Sequence, residues 1–265
     1  MKKIFSLIVA AAFVFPVLAQ DSTGAKRRNK KEERKTRINA ISRQEEEGVI
    51  KYTKHLVIGG KFTTDGYGGF IEVGRAQSLS KALLFQLDIA ERKHPKEEKQ
   101  SSPYSGSPLI YGKINFFYPV KLGVQQQILL GNKGNKNGVS VTGNFGGGLS
   151  LGILRAYEIE VDDSAGRKVV TYQSADSSKF LNSYTDPSAT GPTLFKGWSN
   201  VNLTPGAYVK TSVRFDYGKY NEMVNALEVG LTGEIYSKKI PQMIYQKQKQ
   251  FFFSAYVALM FGRRK

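Results

Sequence analysis

The chain has 265 residues, a formal net charge of +17, no cysteine and a hydrophobic content of 40%. Without cysteine there are no disulfides, no thiolate metal sites and no lipid on an N-terminal cysteine. Strong basicity alone admits a nucleic-acid partner, but no DNA- or RNA-binding motif accompanies it here and the chain opens on an export signal. The charge points instead to outer-membrane lipid, lipopolysaccharide or an acidic envelope protein.

The export signal comes first. Lys2 and Lys3 precede an apolar run from Ile4 to Phe15, and Val17 and Ala19 are small enough for positions −3 and −1 of a signal peptidase site. The run is short for a membrane span. Residues 1–19 are therefore predicted to be a cleaved signal peptide. No second run of about 18 apolar residues follows, so no helical span is expected. Residues 20–51 are basic: Lys26, Arg27, Arg28, Lys30, Lys31, Arg34, Lys35 and Arg37 lie close together, and no aromatic occurs before Tyr52. This predicts a periplasmic arm, partly disordered or helical. Arg27, Arg28, Lys30 and Lys31 are its candidate contacts with headgroups or a protein partner.

From residue 52 to 265 the pattern is that of an all-β, antiparallel up-and-down transmembrane barrel. We expect about ten strands, with eight as the alternative count. The first spans about 53–63 and turns at Asp65-Gly66, a pair that tolerates positive φ. The second and third follow at about 67–77 and 82–92, and a polar loop occupies 93–107. A fourth at about 109–118 is expected to end at Pro119, with a fifth at about 122–130. The glycine-rich sixth is read at about 139–153, with a turn at 154–156 and a short seventh at Tyr157–Val161. Residues 162–203 form the longest irregular segment and are placed outside. Strands at about 206–217 and 224–236 lead to the last one. There Phe251, Phe253, Ala255, Val257, Leu259 and Phe261 form one wholly apolar face. The 14 Tyr and 16 Phe, against one Trp, suit aromatic girdles at two membrane interfaces.

Charges on strands carry the next inference. Glu72, Arg75, Asp88, Arg155, Glu158, Glu160, Arg214, Asp216, Glu228 and Glu234 sit among apolar neighbours. Facing lipid, each would cost up to a few kcal/mol, so all are expected to point into the lumen and pair. Gly131–Gly138 and Gly143–Gly148 do not match a phosphate-binding loop. They read as a turn and as strand glycines that leave room for a bulky neighbour in a narrow lumen. Two histidines, His55 and His94, are too few for a metal site, and no cofactor is expected. His94, near Ser101 and Ser102, is the one residue on which a hydrolase could be built. In the long loop, Phe180, Tyr184, Phe195 and Trp198 are candidate partner contacts, or else they pack over the barrel mouth as a lid.

Several stretches carry a resemblance: Gly59-Gly60-Lys61-Phe62-Thr63-Thr64-Asp65-Gly66, Gly131–Gly138, Gly146–Gly152, Arg214–Asn221 and the tail Phe251–Lys265. In these the chain resembles a family of outer-membrane β-barrels of the Bacteroidota. The resemblance covers residue 50 to the end. It implies a barrel in the cell outer membrane and no particular activity, so no functional residue is carried over. The sequence thus points to a non-enzymatic structural or accessory barrel, in its most specific form a subunit of an envelope assembly. A small porin-like channel is the alternative, and an outer-membrane lipid- or peptide-modifying enzyme, a hydrolase using His94, comes third.

Overall fold

The computed structural model describes Glu33, Lys35 and residues 53–265, except 79, 101–107, 134–137, 165, 173–176, 184, 187–188, 193–196 and 220–221. The signal segment and the arm contacts Arg27, Arg28, Lys30 and Lys31 lie outside the described residues.

Eight strands close a barrel: β1 (Lys54–Thr63), β2 (Gly66–Ala76), β3 (Lys81–Arg92), β6 (Asn115–Gly131), β7 (Ser140–Ala156), β10 (Val201–Asp216), β11 (Met223–Ile240) and β12 (Lys249–Arg264). Each pairs antiparallel with its neighbours, and β1 closes on β12 from His55↔Arg264 to Thr63↔Tyr256. Four short strands stand apart from the wall: β4 (Lys99–Gln100) pairs with β5 (Leu109–Ile110), and β8 (Ile159–Asp163) pairs with β9 (Gly166–Val170). A short helix, α1, spans Ser177–Asn182.

The count is therefore the lower one, and two details of the sequence reading are corrected. The expected fourth and fifth strands are one strand, β6, which runs straight through Pro119. A proline lacks the N–H that a central strand needs. Here β6 pairs with β3 at Val120↔Ile89 and again at Arg92↔Phe117, and the ladder lapses between, opposite Pro119. The expected bend at 154–156 is the end of β7, and Tyr157–Val161 leaves the barrel. As a result the β6–β7 connection lies at the termini end of the barrel, where β1 begins and β12 ends.

The wall is inverted relative to a water-soluble sheet. Along β12 the row Phe251, Phe253, Val257, Leu259 and Phe261 is exposed, while Phe252, Ser254, Tyr256, Ala258 and Met260 are buried. The same alternation exposes Leu149 at 73%, Phe62 at 71% and Leu122 at 62%. A continuous apolar exterior of this kind belongs in hydrocarbon. The rise from Phe251 to Phe261, at ~3.4 Å per residue and a tilt of ~40°, is ~26 Å, the height of the apolar band of a transmembrane barrel.

The wall is also uneven. Strands β1–β3 have 10, 11 and 12 residues, whereas β6, β7 and β10–β12 have 16 to 18. The long strands must rise beyond the band at the loop end. The three large connections there, residues 93–114, 157–200 and 241–248, sit on that rise.

Candidate functional site

Inward-facing positions include glycine and aromatic residues, charged groups, and neutral side chains such as Gln86, Gln125 and Asn144. In direct cross-strand pairs, Gly59 faces Phe70, Gly206 faces Tyr236 and Gly230 faces Tyr256. A side chain on Gly230 would meet the Tyr256 hydroxyl at 2.6 Å, and one on Gly59 would meet the Phe70 ring at 2.5 Å. Tyr208 lies across Gly148 and reaches Gly123, where an added Cβ would be 2.5 Å from its hydroxyl. The glycine run on β7 thus makes room for a ring in the lumen, as expected from the sequence.

Between these rings lies a paired charge network. Lys61, Arg92, Lys121, Lys210 and Arg214 face Glu72, Asp88, Glu228 and Glu234, and all nine are buried. Arg92 Nη1 and Nη2 donate to Glu234 at 3.1 and 3.0 Å, Lys121 Nζ donates to the same carboxylate at 2.8 Å, and the Tyr236 hydroxyl donates at 2.7 Å. Deeper in, Arg214 donates twice to Glu72, both at 2.8 Å, and through Nε to Glu228 at 2.9 Å. Glu228 also accepts from Tyr256 at 2.6 Å, Asn144 at 3.1 Å and Lys210 at 2.9 Å. Lys61 pairs with Asp88.

Their places on the ring decide what this network does. Strands β3 and β11 are four apart in either direction around the barrel, and so are β2 and β10. Arg92–Glu234 and Arg214–Glu72 therefore cross the full diameter at two levels. A further pair at the termini end, Arg264–Asp216, joins β12 to β10, with Lys133 at 3.7 Å from Asp216. Arg92, Lys121 and Arg214 reach carboxylates on distant strands, whereas Glu228 is held by Arg214 and Lys210 of the adjacent β10, and the axis is occupied by side chains.

The inward placement expected for Glu72, Asp88, Arg214, Asp216, Glu228 and Glu234 is what the structure shows. Four of the charges differ. Glu158 and Glu160 are outside the barrel, in the loop cap. Arg75 is exposed on the lipid-facing side at the termini end. Arg155 ends the exterior row of β7, opposite Phe116. Its guanidinium stacks at 4.2 Å from the Phe116 ring centroid and 5.4 Å from that of Trp198.

The loop end carries a folded cap with its own core. Leu109, Ile110, Tyr157, Ile159, Val161, Val170, Phe180 and Ala189 form one buried cluster. The connections are laced by backbone bonds: Ile114 N–H donates to Gln242 O, Tyr157 N–H to Ile114 O and Ile244 N–H to Gly112 O, all at 2.8 Å. Ile110 N–H donates to the Tyr157 hydroxyl at 2.8 Å, and burial pushes that phenol up to about 12. The Gln242 side chain donates to Arg92 O, which ties the cap to the barrel mouth.

The expected contact residues separate here. Phe180 is inside the cap core, at ring distances of 6.5 Å from Tyr157 and 6.1 Å from Tyr172, so it is a packing residue and not an exposed contact. Trp198 is half exposed and stacks on Tyr118 at 5.6 Å. Tyr184 and Phe195 lie outside the described residues. An exposed pair missed in the sequence is Tyr111 and Tyr245, stacked at 6.1 Å. Gly112, with φ of 69°, turns the chain beside them.

His94 also lies in this region. Its N–H donates to Glu97 at 2.9 Å, and its Nδ1 accepts the Lys96 N–H at 3.2 Å. Burial and the nearby Lys249 hold its pKa below 6.5. Ser101 and Ser102 lie outside the described residues. Among the described residues no cluster of three or more His, Asp or Glu side chains could hold a metal.

No protein-family model matches the chain, and no curated protein matches it. Among solved structures, it is similar to the N-terminal β-barrel domain of Pseudomonas aeruginosa OprF, with 10% identity, 80% of this chain and 99% of that one covered, and a TM-score of 0.35. It is similar to Neisserial surface protein A, NspA, with 11% identity, 80% and 96% coverage and a TM-score of 0.37. It is also similar to Ail, the attachment invasion locus protein of Yersinia pestis, in complex with the heparin analogue sucrose octasulfate, with 9% identity, 81% and 100% coverage and a TM-score of 0.36. At these values no residue role passes from those proteins to this chain.

Proposed function

We propose that the protein is an outer-membrane barrel of non-enzymatic, structural or accessory role, a component of an envelope assembly, and that the loop cap is its contact surface. The observation that carries this reading is the division of the molecule. The lumen is filled by diametric ion pairs, while the loops are organised around a separate core that presents Trp198, Tyr111 and Tyr245 outward. A connection of this length with its own core exceeds what joining two strands requires. The proposal includes a cleaved signal over residues 1–19, a periplasmic arm over 20–51 that uses Arg27, Arg28, Lys30 and Lys31, and a Bacteroidota lineage.

The porin-like alternative asks for an axis free of side chains, and Arg92–Glu234 and Arg214–Glu72 stand across it. The hydrolase reading asks for a hydroxyl within reach of His94, and the described partners of that ring and its N–H are the Lys96 N–H and the Glu97 carboxylate. The test is to replace residues 158–199 by a short Gly-Ser linker in the tagged protein. The barrel should still fold and lose the partner that wild type retains at fixed stoichiometry through detergent purification. An unchanged set of co-purifying proteins in the linker variant overturns the proposal.

A further inference from the structure

We propose that the termini end of the barrel carries a binding site for the phosphate of an anionic phospholipid, built from Arg263, Lys54, Arg75 and Lys81 on the lipid-facing side of β12, β1, β2 and β3. These strands are consecutive on the ring. All four cations are exposed. Each lies two residues beyond an exterior apolar side chain: Phe261 before Arg263, Leu56 after Lys54, Val73 before Arg75 and Leu83 after Lys81. Two residues along a strand return to the same face at a rise of ~6.7 Å, so the cations stand at headgroup level directly below the apolar band.

Their register makes the site more than a scatter of surface charge. Lys54 and Arg75 are direct cross-strand partners. Arg263 pairs with Leu56, which places it diagonal to Lys54. Arg75 pairs with Leu83, which places Lys81 diagonal to Arg75. Like charges opposite one another on a sheet face repel unless an anion lies between them. Among the described residues none of the four forms an ion pair. Among the described residues, the acids on the strands at this end point inward: Glu72 to Arg214, and Asp216 to Arg264 and Lys133. Glu222 sits in the β10–β11 turn, where its carbonyl accepts the Arg264 N–H at 2.8 Å.

The array is also one-sided. At the same end, the exterior positions within β6, β7, β10 and β11 are Leu130, Val141, Phe215 and Met223, and the exposed Lys219 lies beyond β10 in the turn. A diffuse attraction to a charged membrane would not need the cations on four adjacent strands and apolar groups opposite. A lipid with two acyl chains lying along Leu56, Val73, Leu83 and Phe261 would place its phosphate in this bracket.

The inference rests on the reading that the barrel spans a membrane, and the experiment separates the two. The full-length protein is first folded into dioleoylphosphatidylcholine vesicles and checked by the heat-dependent shift in gel mobility. It is then examined in non-ionic detergent by native mass spectrometry with dioleoylphosphatidylglycerol, dioleoylphosphatidylcholine or inorganic phosphate added. Wild type should retain the phosphatidylglycerol in preference to the other two. The variant Lys54→Gln/Arg75→Gln should keep the mobility shift and lose retention roughly tenfold or more, since each cation near a charged headgroup contributes independently. The variant Lys238→Gln/Lys239→Gln, at the opposite end, should retain the lipid as wild type does. Failure to insert would refute the membrane reading. Insertion with equal retention of both lipids, with equal retention by Lys54→Gln/Arg75→Gln, or with equal loss in Lys238→Gln/Lys239→Gln would overturn this site alone, as would inorganic phosphate bound as strongly as the lipid.

Discussion

Truncating one end of a cross-lumen pair tests whether the network stabilises the barrel. In Glu234→Ala, the carboxylate that accepts from Arg92 twice, from Lys121 and from Tyr236 is lost. Removing one member of a buried pair typically costs about 3–5 kcal/mol, because the partner is left charged without compensation. Here Arg92 keeps Asp65 at 2.6 Å and Lys121 keeps Asp88 at 3.8 Å. The cost should therefore fall near the lower bound, about 3 kcal/mol, which is roughly a hundredfold in the folding equilibrium. Glu228→Ala should cost more. Arg214 would keep Glu72, but Lys210 would be left without a carboxylate, with the Gln86 Oε1 at 3.0 Å and the Phe70 and Tyr256 rings as its neighbours. The assay is reversible urea unfolding in lipid vesicles, read by the heat-dependent gel shift and, for the cap, by Trp198 fluorescence. The double variant Arg92→Met/Glu234→Leu should recover much of the loss, since a buried pair replaced by apolar groups is often neutral. A cost below about 1 kcal/mol for Glu234→Ala, or the reverse order of the two glutamates, would refute the argument.

Four further outcomes are expected. Val257→Arg, in the middle of the exterior row of β12, should cost about 2–4 kcal/mol in the same assay, while Phe261→Arg near the interface should cost about 1 or less. Gly230→Val should drive Tyr256 off Glu228 and cost about 1–3 kcal/mol as an overpacked lumen. Planar-bilayer recording of the wild type should show no conductance steps above background, since the Arg92–Glu234 and Arg214–Glu72 bridges cross the axis. In the cap, NMR titration should place the His94 transition below 6.5. Because the folded state then binds fewer protons than the unfolded one, the contribution of His94 is full above pH 6.5 and falls as pH drops from there towards the folded value. A His94→Gln variant should lack that dependence.

Much of the wall was legible because a strand's two faces meet opposite solvents. The alternation of Phe251–Phe261, and the isolated charges Glu72, Asp88, Arg214, Glu228 and Glu234, have one arrangement compatible with lipid outside. Pro119 was misleading because its cost depends on whether a neighbouring ladder needs the missing N–H, which only the register with β3 reveals. Arg75 and Arg155 were read as lumenal because they share strands with apolar residues. Their parity places them outside, at the two ends of the wall where the exterior is no longer hydrocarbon. The cap was the least legible part. Its core joins Leu109 and Ile110 to Ile159, Val170 and Phe180 across two loops, and no local periodicity encodes such a meeting. The stacking of Tyr111 on Tyr245 is equally non-local.

The diametric pairs also bear on how the chain can assemble. Glu72 and Arg214 are 142 positions apart, as are Arg92 and Glu234, and the seam joins β1 to β12. An insertion intermediate holding only β1–β3 and β6 would carry Glu72 and Arg92 without their cross-lumen partners, leaving His55 to Glu72 and Asp65 to Arg92, and the remaining four strands would carry Glu234 without either Arg92 or Lys121. Stepwise entry of strands is thus charged against itself. A route that brings all eight strands together before the hydrocarbon is crossed avoids these incompletely paired states, so the lumenal network favours a completed ring over a partial one.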